Sequence, residues 1–317
     1  MLAALSHESI DWVKAALEKH FDMTDLGELK MFIGVEILRN RSQRTFKAGQ
    51  GPYIERILID HGMEWCATVA TPSDPAVHLA KEEKDFVATP EDEANRQRYQ
   101  SAVGSLMYAI LGTRPDIPYT GGIVSQHCTN LNGHHWTAVK QIFRYLVGTQ
   151  GLAILYSGGA KSEGFCDSHW GGSADRRSTS GYVFLLNGGA ISWASRKQSM
   201  VALSSTEAEY IALIQAVKEV LWLRTLFSEI GAPKHAREIS QISSDNQGAI
   251  ALAKNPGFHA RSKHIDIQYH FIRQHMDPDT GTITLEYRPT DDTTADILTK
   301  GLARARHEKH TARMGLI

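Results

Sequence analysis

The chain is poor in cysteine, lacks any long apolar run and carries almost no net charge. Its three cysteines, Cys66, Cys128 and Cys166, lie far apart and form no Cys-x-x-Cys pair. That spacing argues against a disulfide framework and a cysteine-based zinc site, and it favours a reducing compartment. No apolar run approaches the ~18 residues of a membrane span, and the start does not resemble a signal peptide. We therefore expect a cytoplasmic or nuclear protein with no membrane contact.

Basic and acidic residues nearly balance, 34 against 35, which is unusual for a protein that binds a polyanion. The basic residues are nevertheless unevenly spread. Residues 297–317 contain five basic residues and one acidic residue, and two further pairs of basic residues lie after residue 175. Solvated surface is the alternative for any one pair. The predicted nucleic-acid contacts are Arg176, Arg177, Arg196, Lys197 and Lys300.

A stretch of small residues, Ser-Gly-Gly-Ala-Lys-Ser at 157–162, indicates a domain boundary. The 317 residues are enough for two domains, which we place at 1–156 and 157–317. The first domain has a mixed pattern with an exposed, charged excursion at Asp74–Asn95. Its predicted elements are a strand at Lys30–Leu38 and helices at 52–61, Ala102–Leu111 and His135–Leu146.

The second domain has a clearer pattern of strands and helices. Asn187-Gly188-Gly189 predicts a tight hairpin between two of its strands. Five strands are predicted, at Glu163–Asp167, Gly181–Leu186, Ala190–Ser195, Ile239–Asp245 and Thr282–Tyr287. Helices are predicted at Ser205–Ile230, 246–254, Lys263–Met276 and from about Thr293. This order predicts an α/β (α+β) fold, with a mixed five-stranded sheet flanked by helices.

Four acids of the second domain lie at strand ends or in the first turns of helices, where one fold could bring them together. They are Asp167, Glu209, Asp245 and Asp296. Four clustered carboxylates repel one another unless divalent cations neutralise them. Oxygen ligands suit Mg²⁺ or Mn²⁺, and two such ions can clamp the attacking and leaving oxygens of a phosphodiester. The pattern predicts a metal-dependent nuclease site, although each acid alone could be a cap, a turn former or an exposed side chain.

Two glutamates stand near the start of the long helix. Ser204 and Glu207 have the spacing of a capping box, in which the glutamate turns back toward the helix start. Glu209 then projects freely, and we predict that it, and not Glu207, is the metal ligand.

Histidines and tryptophans offer further candidates. The spacing of four histidines fits no zinc pattern, so we expect structural or substrate-contact roles for His259, His264, His270 and His275. Exposed tryptophans could stack on a nucleic acid. Trp170 is such a candidate, whereas Trp193 and Trp222 are expected in the core.

Several longer sequence segments are similar to those of one protein family. Residues 160–317 resemble the ribonuclease H domain of copia-type LTR retrotransposon polyproteins. The phrases that carry this resemblance are Arg177–Phe184, Ile191–Gln198, Leu203–Tyr210, Lys263–Arg273 and Ala295–Lys300. The first domain resembles the end of the reverse transcriptase of the same polyprotein. There the matching phrases are Asp25–Ile37, Val103–Tyr108 and Thr113–Ile117.

The resemblance implies a ribonuclease H-like fold preceded by a thumb- or connection-like remnant of reverse transcriptase. It implies that the four acids bind two Mg²⁺ ions, for which Mn²⁺ can substitute. The implied reaction is endonucleolytic hydrolysis of the RNA strand of an RNA–DNA hybrid during reverse transcription. The implied partners are that hybrid and the remainder of the polyprotein.

The chain departs from the family pattern in two ways. His169 stands where the family usually has a second acid two residues after the first aspartate. No Tyr-x-Asp-Asp sequence is present, so we expect no polymerase activity from this chain alone. A catalytically inactive remnant, at most a nucleic-acid-binding module, is the alternative. The four intact acids count against it.

Overall fold

A computed structural model describes residues 6–75, 79, 89–158, 162–238, 240–254, 271–277 and 281–317. The described residues form two sheets, each with its own helices. No described helix is both long enough and apolar enough to cross a bilayer.

The first part of the chain combines an antiparallel sheet with a helical layer. Its strands are β1 (Met31–Phe32), β2 (Val35–Asn40), β3 (Thr45–Gly49) and β4 (Ala153–Ser157), in the order β1-β2-β3-β4. Its helices are α1 (His7–Glu18), α2 (Gly51–Asp60), α3 (Pro90–Gly112), α4 (Pro118–Ser125) and α5 (Gly133–Thr149). The apolar stripes of α2, α3 and α5 share one core, which includes Ile54, Leu106, Ile142 and Phe143.

One prediction for this part was wrong, and another was confirmed with bounds that were too short. The predicted strand Lys30–Leu38 is a hairpin, because Ile33 and Gly34 adopt positive φ angles of 47° and 71° and reverse the chain between β1 and β2. The unbroken apolar run concealed this turn. The predicted helix Ala102–Leu111 is the end of a longer one that begins after a capping box at Thr89 and Asp92. Residues 90–95 of the predicted excursion are therefore helical, and residues 76–78 and 80–88 lie outside the described part.

The second part contains the mixed five-stranded sheet that the sequence predicted. Its strands are β5 (Glu163–His169), β6 (Thr179–Leu186), β7 (Gly189–Lys197), β8 (Ser240–Ser244) and β9 (Ile283–Tyr287). They lie in the order β7-β6-β5-β8-β9, and β8 pairs in parallel with both β5 and β9. The predicted hairpin is confirmed, with Asn187 and Gly188 at φ 54° and 82°.

Helices cover this sheet. They are α6 (Ser205–Glu229), α7 (Pro233–Arg237), α8 (Gln247–Lys254) and α9 (Arg304–Arg313). Residues 271–275 are also helical, and the earlier residues of the helix predicted at Lys263–Met276 lie outside the described part. The helix predicted from about Thr293 is present as a 3₁₀ helix at Thr294–Leu298, preceded by a 3₁₀ turn at Thr290–Asp292. A short helical pattern does not distinguish i→i+3 from i→i+4 hydrogen bonding.

Two tryptophans, Trp193 and Trp222, were predicted to lie in the core. Trp193 packs against the apolar cluster around Phe165, as predicted. Trp222 does not, because its side chain is 56% exposed on α6. A helix that is apolar around much of its circumference gives little indication of which apolar residue faces solvent.

The two parts of the chain contact each other along β4, β7 and the C-terminus. The Leu155 N–H donates to Gly315 O over 2.8 Å, and the Trp193 indole N–H donates to Ile110 O over 2.9 Å. The division at residues 156 and 157 stays a prediction, since the last residues of the chain pair with β4 of the first sheet.

A buried ion pair lies under this contact. The Arg114 guanidinium donates to Asp116 over 2.6 and 2.9 Å, and neither side chain is exposed. The Tyr145 hydroxyl donates to Asp116 over 2.7 Å. Burial alone would raise the pKa of Asp116, but Arg114 and Tyr145 hold it below its usual range. His307 of α9 contacts the backbone oxygen of Asp116 at 3.2 Å, so the pair also supports the C-terminal helix.

Arg114→Met is expected to lower the free energy of unfolding by roughly 3–5 kcal/mol, because it leaves the Asp116 carboxylate buried without its cation. Urea denaturation measures this loss. Arg304→Met is the matched control, since Arg304 forms an exposed pair with Glu308 and its loss should cost no more than about 0.5 kcal/mol. Equal effects of the two variants would show that the buried pair does not stabilise the fold.

Candidate active site

Three carboxylates converge at one edge of the five-stranded sheet. Asp167 lies in β5, Asp245 follows β8 directly, and Glu209 lies on α6. Because β5 and β8 are parallel neighbours, their carboxyl ends meet at the same edge. Each of the three acids offers an oxygen within 4.8 Å of the others.

The start of α6 separates the roles of its two glutamates. Ser204 accepts a hydrogen bond from the Glu207 N–H at 3.1 Å. The Glu207 carboxylate turns back and accepts from the Leu203 N–H at 2.7 Å, one residue before the cap. Glu209 is buried and faces β5, where its Oε1 accepts from the Ser168 N–H at 3.1 Å. The structure thus brings Glu209, and not Glu207, to the other acids.

Asp245 is not the N-cap residue of α8. That role belongs to Asn246, whose side-chain oxygen accepts from the Ala249 N–H at 2.8 Å. Asp245 is half-buried and accepts from the Thr290 hydroxyl at 2.6 Å. Its carboxylate is therefore oriented toward the cluster by a side chain from the turn after β9.

Asp296 lies against Asp167 but outside the group of three. It is fully buried, and Lys300 Nζ lies 2.7 Å from one of its oxygens. The Arg306 guanidinium donates to the other oxygen. The Thr299 hydroxyl, three residues after Asp296, donates to Asp167.

A glycine on β6 permits this close approach. Gly181 pairs with Asp167 across the strands. A Cβ atom on Gly181 would lie 2.7 Å from the Cβ of Leu298 and 2.8 Å from the methyl of Thr299. The 3₁₀ turn that carries Asp296 can pack on the sheet only because this position has no side chain.

The charge of the cluster is only partly compensated by Lys300 and Arg306. Burial, and then the charge of Asp296, raise the pKa of Asp167 to about 6. Burial, and then the charges of Asp167 and Asp245, raise the pKa of Glu209 to about 9. The second oxygen of Glu209 is buried without a hydrogen-bond partner among the described residues. Oxygen donors that are crowded, partly unpartnered and reluctant to ionise fit a hard divalent cation, which would stabilise their charged forms.

The predicted nucleic-acid contacts lie in two different settings. Arg176, Arg177 and Arg196 are exposed. Lys197 is held by Asp175 at 2.9 Å. Lys300 lies inside the acid cluster, where it pairs with Asp296. Of the first four, Arg177 and Lys197 both pair with Asp175, whereas Lys300 offsets charge within the site.

Two residues at the end of β5 flank the cluster. Trp170 is 53% exposed, and its indole N–H donates to Ala202 O over 2.9 Å, which fixes the ring beside the loop before α6. The His169 ring packs on Gly172, where an added Cβ would lie 1.8 Å from it. The His169 ring is thus accommodated by a glycine.

Sequence reasoning missed the groups that orient the acids. Thr290, Thr299 and Arg306 reach their carboxylates from turns and from α9, and no local motif marks them. Of the four candidate histidines, His259, His264 and His270 lie outside the described residues. His275 lies 3.4 Å from the Thr282 hydroxyl.

The raised pKa of Glu209 predicts a pH-dependent stability of the metal-free protein. In the folded state Glu209 keeps its proton up to about pH 9, whereas the unfolded chain releases it near the usual value of 4.5. The folded state therefore binds more protons between these values, and stability falls as pH rises. In EDTA, Glu209→Gln should flatten this fall in thermal melts. Glu207→Gln should leave the slope unchanged, and an unchanged slope in both variants would contradict the assignment.

Comparison with known proteins places the chain in a family. No family model matches it. The solved structure of the ribonuclease H1 LC11, isolated from compost by a metagenomic approach, is similar to this chain. The match covers 44% of this chain and 92% of the LC11 chain. The sequence identity is 15% and the TM-score is 0.34. At so low a score, the family assignment depends on the sequence relatives.

Two transposon relatives cover most of the chain. The retrovirus-related Pol polyprotein from transposon TNT 1-94 of Nicotiana tabacum is 42% identical over 93% of this chain and 22% of its own length. This chain thus spans about a fifth of that polyprotein. A putative transposon Ty5-1 protein of Saccharomyces cerevisiae is 30% identical over 69% of this chain and 70% of its own length. The chain belongs to the family of retrovirus-related Pol polyproteins of transposons.

Proposed function

We propose that the second part of the chain is a ribonuclease H domain that hydrolyses the RNA strand of RNA–DNA hybrids. The convergence of Asp167, Glu209 and Asp245 within 4.8 Å carries this proposal. The family membership supports it, since a retrotransposon polyprotein requires removal of its RNA template during reverse transcription. Copia-type ancestry, as the sequence phrases indicate, is part of the same proposal.

The residues that would hold divalent cations are the three clustered acids, with Asp296 beside them. Bound Mg²⁺ or Mn²⁺ would supply an activated water and would stabilise the leaving oxygen of the phosphodiester. The Ser168 N–H holds Glu209, and the Thr290 hydroxyl holds Asp245. These contacts fix the ligand oxygens before substrate arrives, which is the main contribution a protein makes to such a site.

The hybrid would lie along the exposed surface next to the cluster. Arg176, Arg177, Arg196 and Lys197 offer charge to its phosphates, and each phosphate that they neutralise steepens the salt dependence of binding. The Trp170 ring lies three residues after Asp167 and offers a stacking surface. Discrimination of RNA from DNA would depend on contacts to 2′-hydroxyl groups across the shallow minor groove.

The alternative is an inactive remnant that at most binds nucleic acid. A remnant has no need to keep three acids converged, or to keep Gly181 where a side chain would displace the turn that carries Asp296. Cleavage of a labelled RNA strand in a hybrid, with Mg²⁺ or with EDTA, distinguishes the two functions.

Glu209→Gln is expected to lower the rate of hybrid cleavage by more than about 100-fold. Even the loss of a group that only holds a metal ligand in place costs ~10–100-fold. Glu207→Gln should keep most activity, because glutamine also accepts the capping hydrogen bond. Initial rates with a 5′-labelled RNA strand measure both. Inactivation by Glu207→Gln, together with full activity of Glu209→Gln, would refute the assignment of ligands.

Trp170→Ala is expected to weaken binding of the hybrid by about 1–3 kcal/mol, or roughly 5- to 150-fold in Kd, through loss of a stacking surface. Fluorescence anisotropy in EDTA measures binding without cleavage. Trp222→Ala is the matched control, since Trp222 is about equally exposed but lies thirteen residues beyond Glu209 on α6. If both variants bind as the parent does, Trp170 makes no contact with the substrate.

A further inference from the structure

Two positively charged side chains contact Asp296, the acid that lies outside the group formed by Asp167, Glu209 and Asp245. Lys300 Nζ is 2.7 Å from one oxygen of Asp296, and the Arg306 guanidinium contacts the other. Asp296 itself has no exposed surface. Both of its oxygens are therefore already engaged by cations of this chain.

This arrangement distinguishes Asp296 from the other three acids by its direct ion pairs, although the charge of Lys300 also acts on Asp167. Asp167, Glu209 and Asp245 have no cation in direct contact among the described residues, whereas Asp296 has two. A divalent ion approaching Asp296 would meet the positive charge of Lys300 at close range. Coulomb repulsion at such short range opposes the binding of a divalent ion at Asp296 while Lys300 stays in place. A cation that binds the other three acids meets no such obstacle in direct contact.

The two positive side chains are anchored differently. Arg306 lies on α9, where the adjacent His307 contacts Asp116 O at 3.2 Å and packs its ring on Tyr145. Lys300 lies in the turn after the 3₁₀ segment, and its only ion pair among the described residues is the one with Asp296. Arg306 is thus held by the packing of its helix, whereas Lys300 is held at the site through its charge.

We propose that Lys300 is an internal counter-ion that occupies the place of a second cation at Asp296. In this proposal the chain binds a first divalent cation through Asp167, Glu209 and Asp245. Asp296 becomes a ligand only when Lys300 withdraws, and Arg306 positions its carboxylate throughout. The inference rests on the proposed metal-dependent function and orders the binding of its two ions.

Mn²⁺ binding to the full chain without nucleic acid tests this order. Isothermal titration calorimetry, together with electron paramagnetic resonance to measure free Mn²⁺, should resolve one tight site. A second site should bind Mn²⁺ at least about tenfold more weakly. Lys300→Met, which keeps most of the length of the side chain and removes the charge, should reduce the ratio of the two dissociation constants by about tenfold or more. Lys300→Arg should restore the ratio.

The matched control is Lys309→Met, because Lys309 forms an equivalent pair with Asp292 at 2.9 Å on the surface. It should bind Mn²⁺ as the parent does. The double variant Asp296→Asn/Lys300→Met removes both charges of the pair. It should keep the first site within about threefold and lose the second, so the proposal stays testable if Lys300→Met alone does not fold.

The outcomes separate this inference from the function on which it rests. Two equal sites in the parent, or an unchanged ratio in Lys300→Met, would overturn the role of Lys300. If Asp245→Asn loses the first Mn²⁺ site, the assignment of Asp245 as a metal ligand would stand even when the role of Lys300 is overturned. A parent chain that binds no Mn²⁺ would instead refute the metal-dependent function itself.

Discussion

Mutual repulsion of buried carboxylates is the constraint on which this structure depends. Asp167, Glu209 and Asp296 are withdrawn from water at one edge of a sheet, and Asp245 is half-buried beside them. Only Asp296 is neutralised by cations in direct contact among the described residues. Such a cluster costs folding free energy unless a ligand offsets it. Its persistence within a well-packed fold is the strongest physical indication that it binds cations.

The fold contributes rigidity to this site from several directions. Parallel pairing of β5 and β8 brings two of the acids to one edge, and the cap of α6 turns Glu207 away from Glu209. The helix α9 holds Asp296 through Arg306, and the first part of the chain holds α9 through its buried ion pair and His307. The first part of the chain therefore supports the acid cluster by packing, although none of its described residues offers a ligand to it.

Local patterns predicted much of the second part and less of the first. Alternating apolar residues, the Asn-Gly turn and the Ser204–Glu207 cap are encoded within a few residues, and each was confirmed. The Ile33–Gly34 reversal was missed because the apolar run is continuous through it. The exposure of Trp222 and the 3₁₀ turn at Asp296 depend on packing between distant elements, which a periodic pattern does not contain.

The acids themselves were predictable, but their environment was not. Asp167, Glu209 and Asp245 follow recognisable phrases at strand ends and helix starts, so their convergence could be expected. Thr290, Thr299 and Arg306 act across tertiary contacts. The nucleic-acid contact of Lys300 stays a prediction, and its pair with Asp296 was not foreseen.

The most direct test of the central claim is cleavage of a labelled RNA–DNA hybrid by the purified chain, compared with double-stranded DNA of the same sequence. Hydrolysis of the RNA strand alone, present with Mg²⁺ or Mn²⁺ and abolished by EDTA, is the expected result. A chain that folds and binds Mn²⁺ but leaves the hybrid intact, or that cleaves it equally in EDTA, would contradict a metal-dependent ribonuclease site at Asp167, Glu209 and Asp245.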